Sequence, residues 1–63
     1  MKKLAYYADS AFGAVVITAI EGETITTYYE YEGEMTNKKV SKLSNNSFIR
    51  NKKKYNLSDF MKI

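Results

Sequence analysis

The first half of the chain alternates between apolar and polar positions in a way that is typical of β-strands. Residues 3–8 form a short alternating run, and residues 14–20 are apolar on both faces apart from Thr18. Because the second run is short and rich in β-branched side chains, it indicates a buried central strand. Residues 23–32 alternate again and carry threonines and tyrosines, as expected for a strand with one face partly exposed.

The second and third runs are separated by Glu21 and Gly22, and together they predict a β-hairpin. With those two residues as the loop, the predicted cross-strand pairs are Thr18 with Ile25, Val16 with Thr27 and Ala14 with Tyr29. Period-two alternation places Ile25, Thr27, Tyr29 and Tyr31 on one face of the third strand.

The second half of the chain has a weaker pattern. We expect a loop over 34–37, a strand or helical turn over 38–43, a turn over 44–47, a second hairpin built from 48–50 and 54–57, and a helical turn over 59–63 capped by Ser58. The whole chain, 1–63, is therefore expected to be a single domain that is mainly β. Its predicted architecture is a four- to five-stranded antiparallel meander or small open barrel with a short C-terminal helical turn.

Composition narrows the chemistry available to this domain. The 63 residues include no cysteine and no histidine, so disulfides, the usual zinc sites and the commonest groups for nucleophilic and acid–base catalysis are absent. Glu30, Glu32 and Glu34 would share one face of a continuous strand, but a solvated charge run explains them better than a metal site does. We expect no catalytic residues, no metal, no cofactor and no enzymatic activity.

The N-terminal segment superficially resembles a signal peptide, with two lysines before an apolar stretch that ends at Ile20. Asp9 and Ser10 interrupt that stretch, and it is too short to span a membrane. Lysine, asparagine, isoleucine and tyrosine are plentiful, as AT-rich coding produces. These features predict a protein of a bacterium or phage that acts in the cytoplasm of the bacterial host cell, without membrane contact.

Charge is divided unevenly along the chain. Residues 38–63 carry eight of the ten basic residues and one of the seven acidic ones. One interpretation pairs Lys38, Lys39 and Lys42 with the glutamates of 30–34 across neighbouring strands. That arrangement leaves a basic patch on the second hairpin, formed by Arg50, Lys52, Lys53 and Lys54. Such a turn is suited to phosphate contacts, with Phe48 and Tyr55 as stacking partners, or else it is simply solvated.

Tyrosine is the other abundant residue, with six copies. Since Tyr6/Tyr7 and Tyr28/Tyr29 are adjacent pairs, each pair sends one ring to either face of the sheet. One face of the sheet can form part of the core. The other, with Tyr28 and either Tyr6 or Tyr7, predicts an interface with another protein or with a second copy. The alternative is a thin sheet that uses large rings because it lacks a second layer. Tyr31, Phe48 and Tyr55 complete the candidate interface and stacking residues.

Two functions follow from these features. The first is a non-enzymatic small protein that binds a protein partner or itself as a homodimer, of the kind used by phages and mobile elements as inhibitors or adaptors of host proteins, including an anti-CRISPR-like, anti-defence role. The alternative is a weak, sequence-tolerant DNA- or RNA-binding domain that uses the basic turn at 50–54.

Overall fold

The structure, a computed structural model, describes residues 2–9 and 13–63. Its elements are strands β1 (Ala5–Asp9), β2 (Gly13–Glu21), β3 (Thr24–Tyr31), β4 (Glu34–Lys42), β5 (Ser47–Arg50) and β6 (Lys53–Asn56), a 3-10 helix at Leu57–Asp59, and strand β7 (Met61–Lys62). No helix in the described part of the chain is long and apolar enough to cross a membrane.

The strands form an open five-stranded antiparallel sheet and a separate two-stranded sheet. The order in the larger sheet is β4-β3-β2-β1-β7, and β5 pairs only with β6. The first four strands therefore form the predicted meander, and the predicted second hairpin is confirmed. Residues 38–43, for which the sequence predicted either a strand or a helical turn, belong largely to β4.

The register predicted for the central hairpin is wrong, although the hairpin itself is confirmed. The observed pairs include Ile17 with Thr27 and Glu21 with Thr24, so the loop is Gly22 and Glu23 rather than Glu21 and Gly22. The register shifts between Ile17 and Ala19. An extra residue in β2 at that point is a β-bulge, which residue alternation alone does not locate.

A second bulge interrupts the pairing of β3 with β4. Thr27 lies opposite Lys39 and Tyr29 lies opposite Thr36, so β4 holds one residue more than β3 between these pairs. Asn37 lies in this bulge with a φ of 57°, a left-handed conformation that asparagine tolerates better than most residues. The bulge matters for the site described below because it turns a backbone carbonyl toward the second hairpin.

The core lies between the five-stranded sheet and the β5–β6 hairpin. Its aliphatic part comes mainly from Val15 and Ile17 of β2 and Ile25 of β3. The hairpin contributes Phe48 and Tyr55, whose rings stack with centroids 5.5 Å apart. Further ring contacts join this pair to Tyr7 of β1 and to Phe60. A chain of this size thus closes one side of its sheet with aromatic side chains rather than with a helix.

The C-terminal turn differs from the predicted one in position. The helical turn comprises Leu57–Asp59 and follows Asn56, so Ser58 lies inside it and does not cap it. Met61–Lys62 instead pairs with β1 as an edge strand. Phe60 is buried, whereas the neighbouring apolar residues Met61 and Ile63 are exposed.

The three glutamates expected on one strand are separated by a turn. Glu30 lies in β3, Glu32 has a φ of 52° in the turn, and Glu34 begins β4. Glu30 forms an ion pair with Lys3, with 2.6 Å between a carboxylate oxygen and Nζ. The expected row of carboxylates on a continuous strand is therefore wrong.

Candidate functional site

Arg50, predicted to belong to an exposed basic turn, has a buried side chain that is 3% exposed. It ends β5, two residues after the core residue Phe48, so its side chain points to the same side of the hairpin. The two-residue turn that follows consists of Asn51 and Lys52. Because of this alternation, Arg50 points toward the sheet and the turn points away from it.

The guanidinium of Arg50 connects the hairpin to β3 and β4. Nη1 donates a hydrogen bond of 2.8 Å to Oγ1 of Thr27, and Nη2 donates one to the backbone carbonyl oxygen of Asn37 in the β4 bulge. Cζ lies 4.2 Å from the centroid of the Tyr29 ring, a cation–π contact. Nε is buried and has no hydrogen-bond partner among the described residues.

An open hollow of about 490 Å³ adjoins this guanidinium. Its lining consists of Tyr29, Thr36, Asn37, Lys38, Lys39, Arg50 and Asn51. Three of these residues are basic and none is acidic. Arg50 makes no ion pair with any described residue, since the ion pair of the described chain joins Lys3 to Glu30.

A second open hollow lies further along the same seam between β4 and the hairpin. It is lined by Lys42, Ser44, Ser47, Phe48, Ile49 and Lys54. Ile49 and Lys54 are directly opposite each other in the β5–β6 ladder, and Ile49 is 64% exposed. We call the five exposed residues that line the two hollows, Lys38, Lys39, Lys42, Lys54 and Ile49, the basic strip.

The lysines of β4 do not form the ion pairs predicted from the sequence. Lys39 lies opposite Thr27, and Lys42 lies opposite Thr24. Lys38 occupies the bulge. Within the described chain, no ion pair of these three lysines with a glutamate is present. Their charge is therefore available to a partner, and the unpaired basic surface is larger than residues 50–54 alone.

The lysines of the second hairpin have different surroundings. Lys52 is exposed in the turn with a φ of 65°. The Nζ of Lys53 lies 5.5 Å from the ring centroid of Tyr7 and 5.2 Å from that of Tyr55. Lys54 is exposed and faces the second hollow. The residues of the predicted basic patch thus lie in three places. Arg50 and Lys53 contact aromatic rings on the core side, Lys52 lies in the turn, and Lys54 belongs to the basic strip.

The aromatic residues predicted to stack on bases belong to the core. Phe48 is 2% and Tyr55 is 3% exposed, and Tyr7 packs against the same cluster. Their rings cannot accept a base in this structure without displacing the hairpin.

The second tyrosine surface is smaller than predicted. Tyr6, Val16 and Tyr28 lie side by side on the outer face of the sheet, because Val16 is opposite both tyrosines. Val16 is nevertheless fully buried and Tyr28 is only 7% exposed, whereas Tyr6 is half-buried. Tyr31, at the end of β3, is 64% exposed. Self-association through this face stays a prediction.

Internal ion pairs were one interpretation of Lys38, Lys39 and Lys42, and Ile49 was not among the predicted site residues. One signal for the buried arginine was available, because Phe48 and Arg50 are two residues apart on a short strand. If Phe48 is core, Arg50 must face the core as well. The Asn37 bulge, which places the acceptor for Arg50, has no comparable signal in the sequence.

Among the described residues, no three or more acidic side chains lie close enough together to hold a metal ion. Comparisons with known proteins add no assignment to this geometry: no protein-family model, curated protein or solved structure matches the chain.

Proposed function

We propose that this is a non-enzymatic binding protein that attaches to an acidic surface of a protein partner through the basic strip. The observation that supports this function is that exposed lysines line both open hollows, and that no acidic side chain of the described residues contributes to either lining. Exposed like charges accelerate the approach of a partner of opposite sign and select against partners of the same sign.

Ile49 favours a protein over a nucleic acid as the partner. Its side chain is 64% exposed beside Lys54 in the second hollow. Burying an apolar side chain of this size against a partner contributes up to about 1.5–3 kcal/mol. A phosphate backbone offers no apolar surface to cover it, whereas the centres of protein interfaces are enriched in apolar contacts.

The size of the chain suits a protein that acts by occupying a partner's surface. A standard interface covers about 800 Å² on each partner, which is roughly a fifth of the 4492 Å² accessible surface of this chain. We include in the proposal the role of a phage or mobile-element inhibitor or adaptor, including an anti-defence role. This part rests on size and composition alone.

The second candidate is weak nucleic-acid binding through the same lysines and Lys52. It is favoured by the absence of ion pairs for Lys38, Lys39 and Lys42 within the described chain. With Phe48 and Tyr55 buried, such binding would use phosphates only. It should be independent of sequence and weaken steeply with salt.

Capture from a bacterial lysate by the tagged full chain tests the proposal when variants of equal charge are compared. Lys39→Glu with Lys54→Glu reverses two charges in the strip. Lys2→Glu with Lys62→Glu reverses two exposed charges outside the strip, the second of them on β7 at the opposite edge of the sheet. We expect the strip variant to lose a specific protein, while the control variant retains it.

Two further arms separate the candidates. Ile49→Ser should also lose the captured protein, and nuclease treatment should leave its capture by the unmodified chain unchanged. If capture requires intact nucleic acid and is insensitive to Ile49→Ser, the nucleic-acid candidate replaces the first. Equal losses in the two charge-reversal variants would show a response to net charge only and would contradict both candidates.

A further inference from the structure

We propose that the hollow beside Arg50 is a carboxylate-binding site that receives an aspartate or glutamate side chain, or a chain terminus, of the partner. The inference rests on the proposed function in one respect, since the carboxylate belongs to that protein partner. It goes further by naming the chemical group that is recognised and the residues that recognise it.

Arg50 is a buried cation with no anionic partner among the described residues. Its side chain is 3% exposed, and no carboxylate of the described residues forms an ion pair with it. A buried charge is costly unless it is paired, so buried arginines are usually found with a carboxylate. Thr27 and Asn37 supply only neutral acceptors, so within the described part of the chain no carboxylate compensates the charge of the guanidinium.

The residues that surround Arg50 increase the positive potential of the hollow. Lys38 and Lys39 line the same hollow and are exposed. Three like charges around one opening repel one another, and an anion in the opening relieves that repulsion. Because the hollow is bounded on one side by protein, this attraction is screened less than it is at a flat surface.

The free donors of the Arg50 guanidinium determine which anion fits the hollow. A guanidinium has five N–H donors in one plane, and the hydrogen bonds to Thr27 and Asn37 use two of them. The Tyr29 ring lies over the guanidinium at 4.2 Å, so further donors are offered at the edge. Nε–H is one of these and has no acceptor among the described residues. A planar carboxylate matches such an edge, and because Nε is buried, the hollow must open around it when the carboxylate enters.

Nuclear magnetic resonance of the full chain can report on this site directly. Arg50 is the only arginine in the sequence, so its Nε–Hε signal is unique. The probes are a tetraglutamate peptide with blocked ends and inorganic phosphate, each titrated at constant ionic strength against sodium chloride. We expect the Arg50 Nε–Hε signal to shift and to saturate with the peptide at a lower concentration than with phosphate.

The test uses lysine variants because a substitution of Arg50 would also remove contacts that hold the hairpin against the sheet. Lys38→Gln with Lys39→Gln should weaken peptide binding by about five-fold, the effect of removing two largely exposed charges. Lys2→Gln with Lys62→Gln removes the same charge from two exposed residues outside the lining of the hollow and should change the affinity less than two-fold by the same reasoning. Equal weakening in both pairs, or a shift that sodium chloride reproduces, would overturn the site.

The outcomes also separate this site from the proposed function. Saturation by phosphate at the lower concentration would overturn the carboxylate assignment and favour the nucleic-acid candidate. No saturable shift with either probe would overturn the anion site. Capture of a protein that depends on Lys39, Lys54 and Ile49 would in that case still support the proposed function.

Discussion

Substituting Gly13 with alanine should destabilise the fold far more than the same substitution at Gly22. Gly13 begins β2 with a φ of 96°, and a Cβ atom built there lies 2.3 Å from the backbone carbonyl oxygen of Glu30. Ordinary contacts begin at 3.4 Å, so the two strands would have to separate by about 1.1 Å. Gly22 has a φ of 59° in the hairpin loop, and no atom lies within 4 Å of its added Cβ.

The magnitude follows from two costs. A left-handed conformation costs an alanine about 1–2 kcal/mol, and this cost applies at both glycines. At Gly13 the clash is with backbone, and relieving it weakens strand hydrogen bonds worth about 0.5–1.5 kcal/mol each. We expect the free energy of unfolding to fall by about 3 kcal/mol or more for Gly13→Ala and by about 1 kcal/mol for Gly22→Ala. A 63-residue domain has a total stability of roughly 3–9 kcal/mol, so the first variant should be largely unfolded or close to it.

Urea denaturation followed by far-ultraviolet circular dichroism measures both variants against the unmodified chain. With a denaturant slope of about 1 kcal/mol/M, Gly22→Ala should lower the midpoint by about 1 M and Gly13→Ala by about 3 M. Equal midpoints for the two variants would refute the reasoning, because they would show that the close approach of Gly13 to Glu30 does not limit the fold.

Other predictions concern the hairpin and the outer face of the sheet. Phe48→Ala should lower the free energy of unfolding, measured by urea denaturation, by about 3–5 kcal/mol because it leaves a cavity in the core. Ile49→Ala should change it by less than about 0.5 kcal/mol. Thr27→Val should cost about 1–3 kcal/mol, since it removes a buried acceptor from the guanidinium that it contacts; a smaller effect would show that this hydrogen bond contributes little. Lys3→Gln should cost at most about 1 kcal/mol and should lose this effect in high salt, because the ion pair with Glu30 is partly exposed.

Much of the fold could be predicted because strand periodicity and turn residues lie close together in sequence. Residues 14–20 and 23–32 specify the central hairpin through their composition and alternation, and the Asn51 turn marks the second one. The register could not be predicted, because the bulge at Thr18 has no distinctive residue. Bulges depend on how a strand twists against its neighbours, which a local pattern does not contain.

The candidate site was predicted only in part, for a related reason. The sequence predicted a basic patch on the second hairpin, but Arg50 was grouped with the lysines by adjacency rather than by face. Its burial depends on Thr27, 23 residues away, and on Asn37, 13 residues away. Contacts over such separations arise from the packing of the hairpin on the sheet, and charge counts along the chain do not reveal them.

Among the described residues, the two sheets share no ladder of backbone hydrogen bonds. The β5–β6 hairpin is held to the larger sheet by side chains and by the chain segments that lead into and out of it. Detachment of the hairpin would therefore break few backbone hydrogen bonds, and local opening should be easier there than within β2. Amide hydrogen exchange should be faster at Phe48 and Tyr55 than at Val15 and Ile17. A ligand that joins Arg50 to β4 should slow amide exchange in the hairpin selectively. Binding at the site would therefore make the opening of the core less frequent.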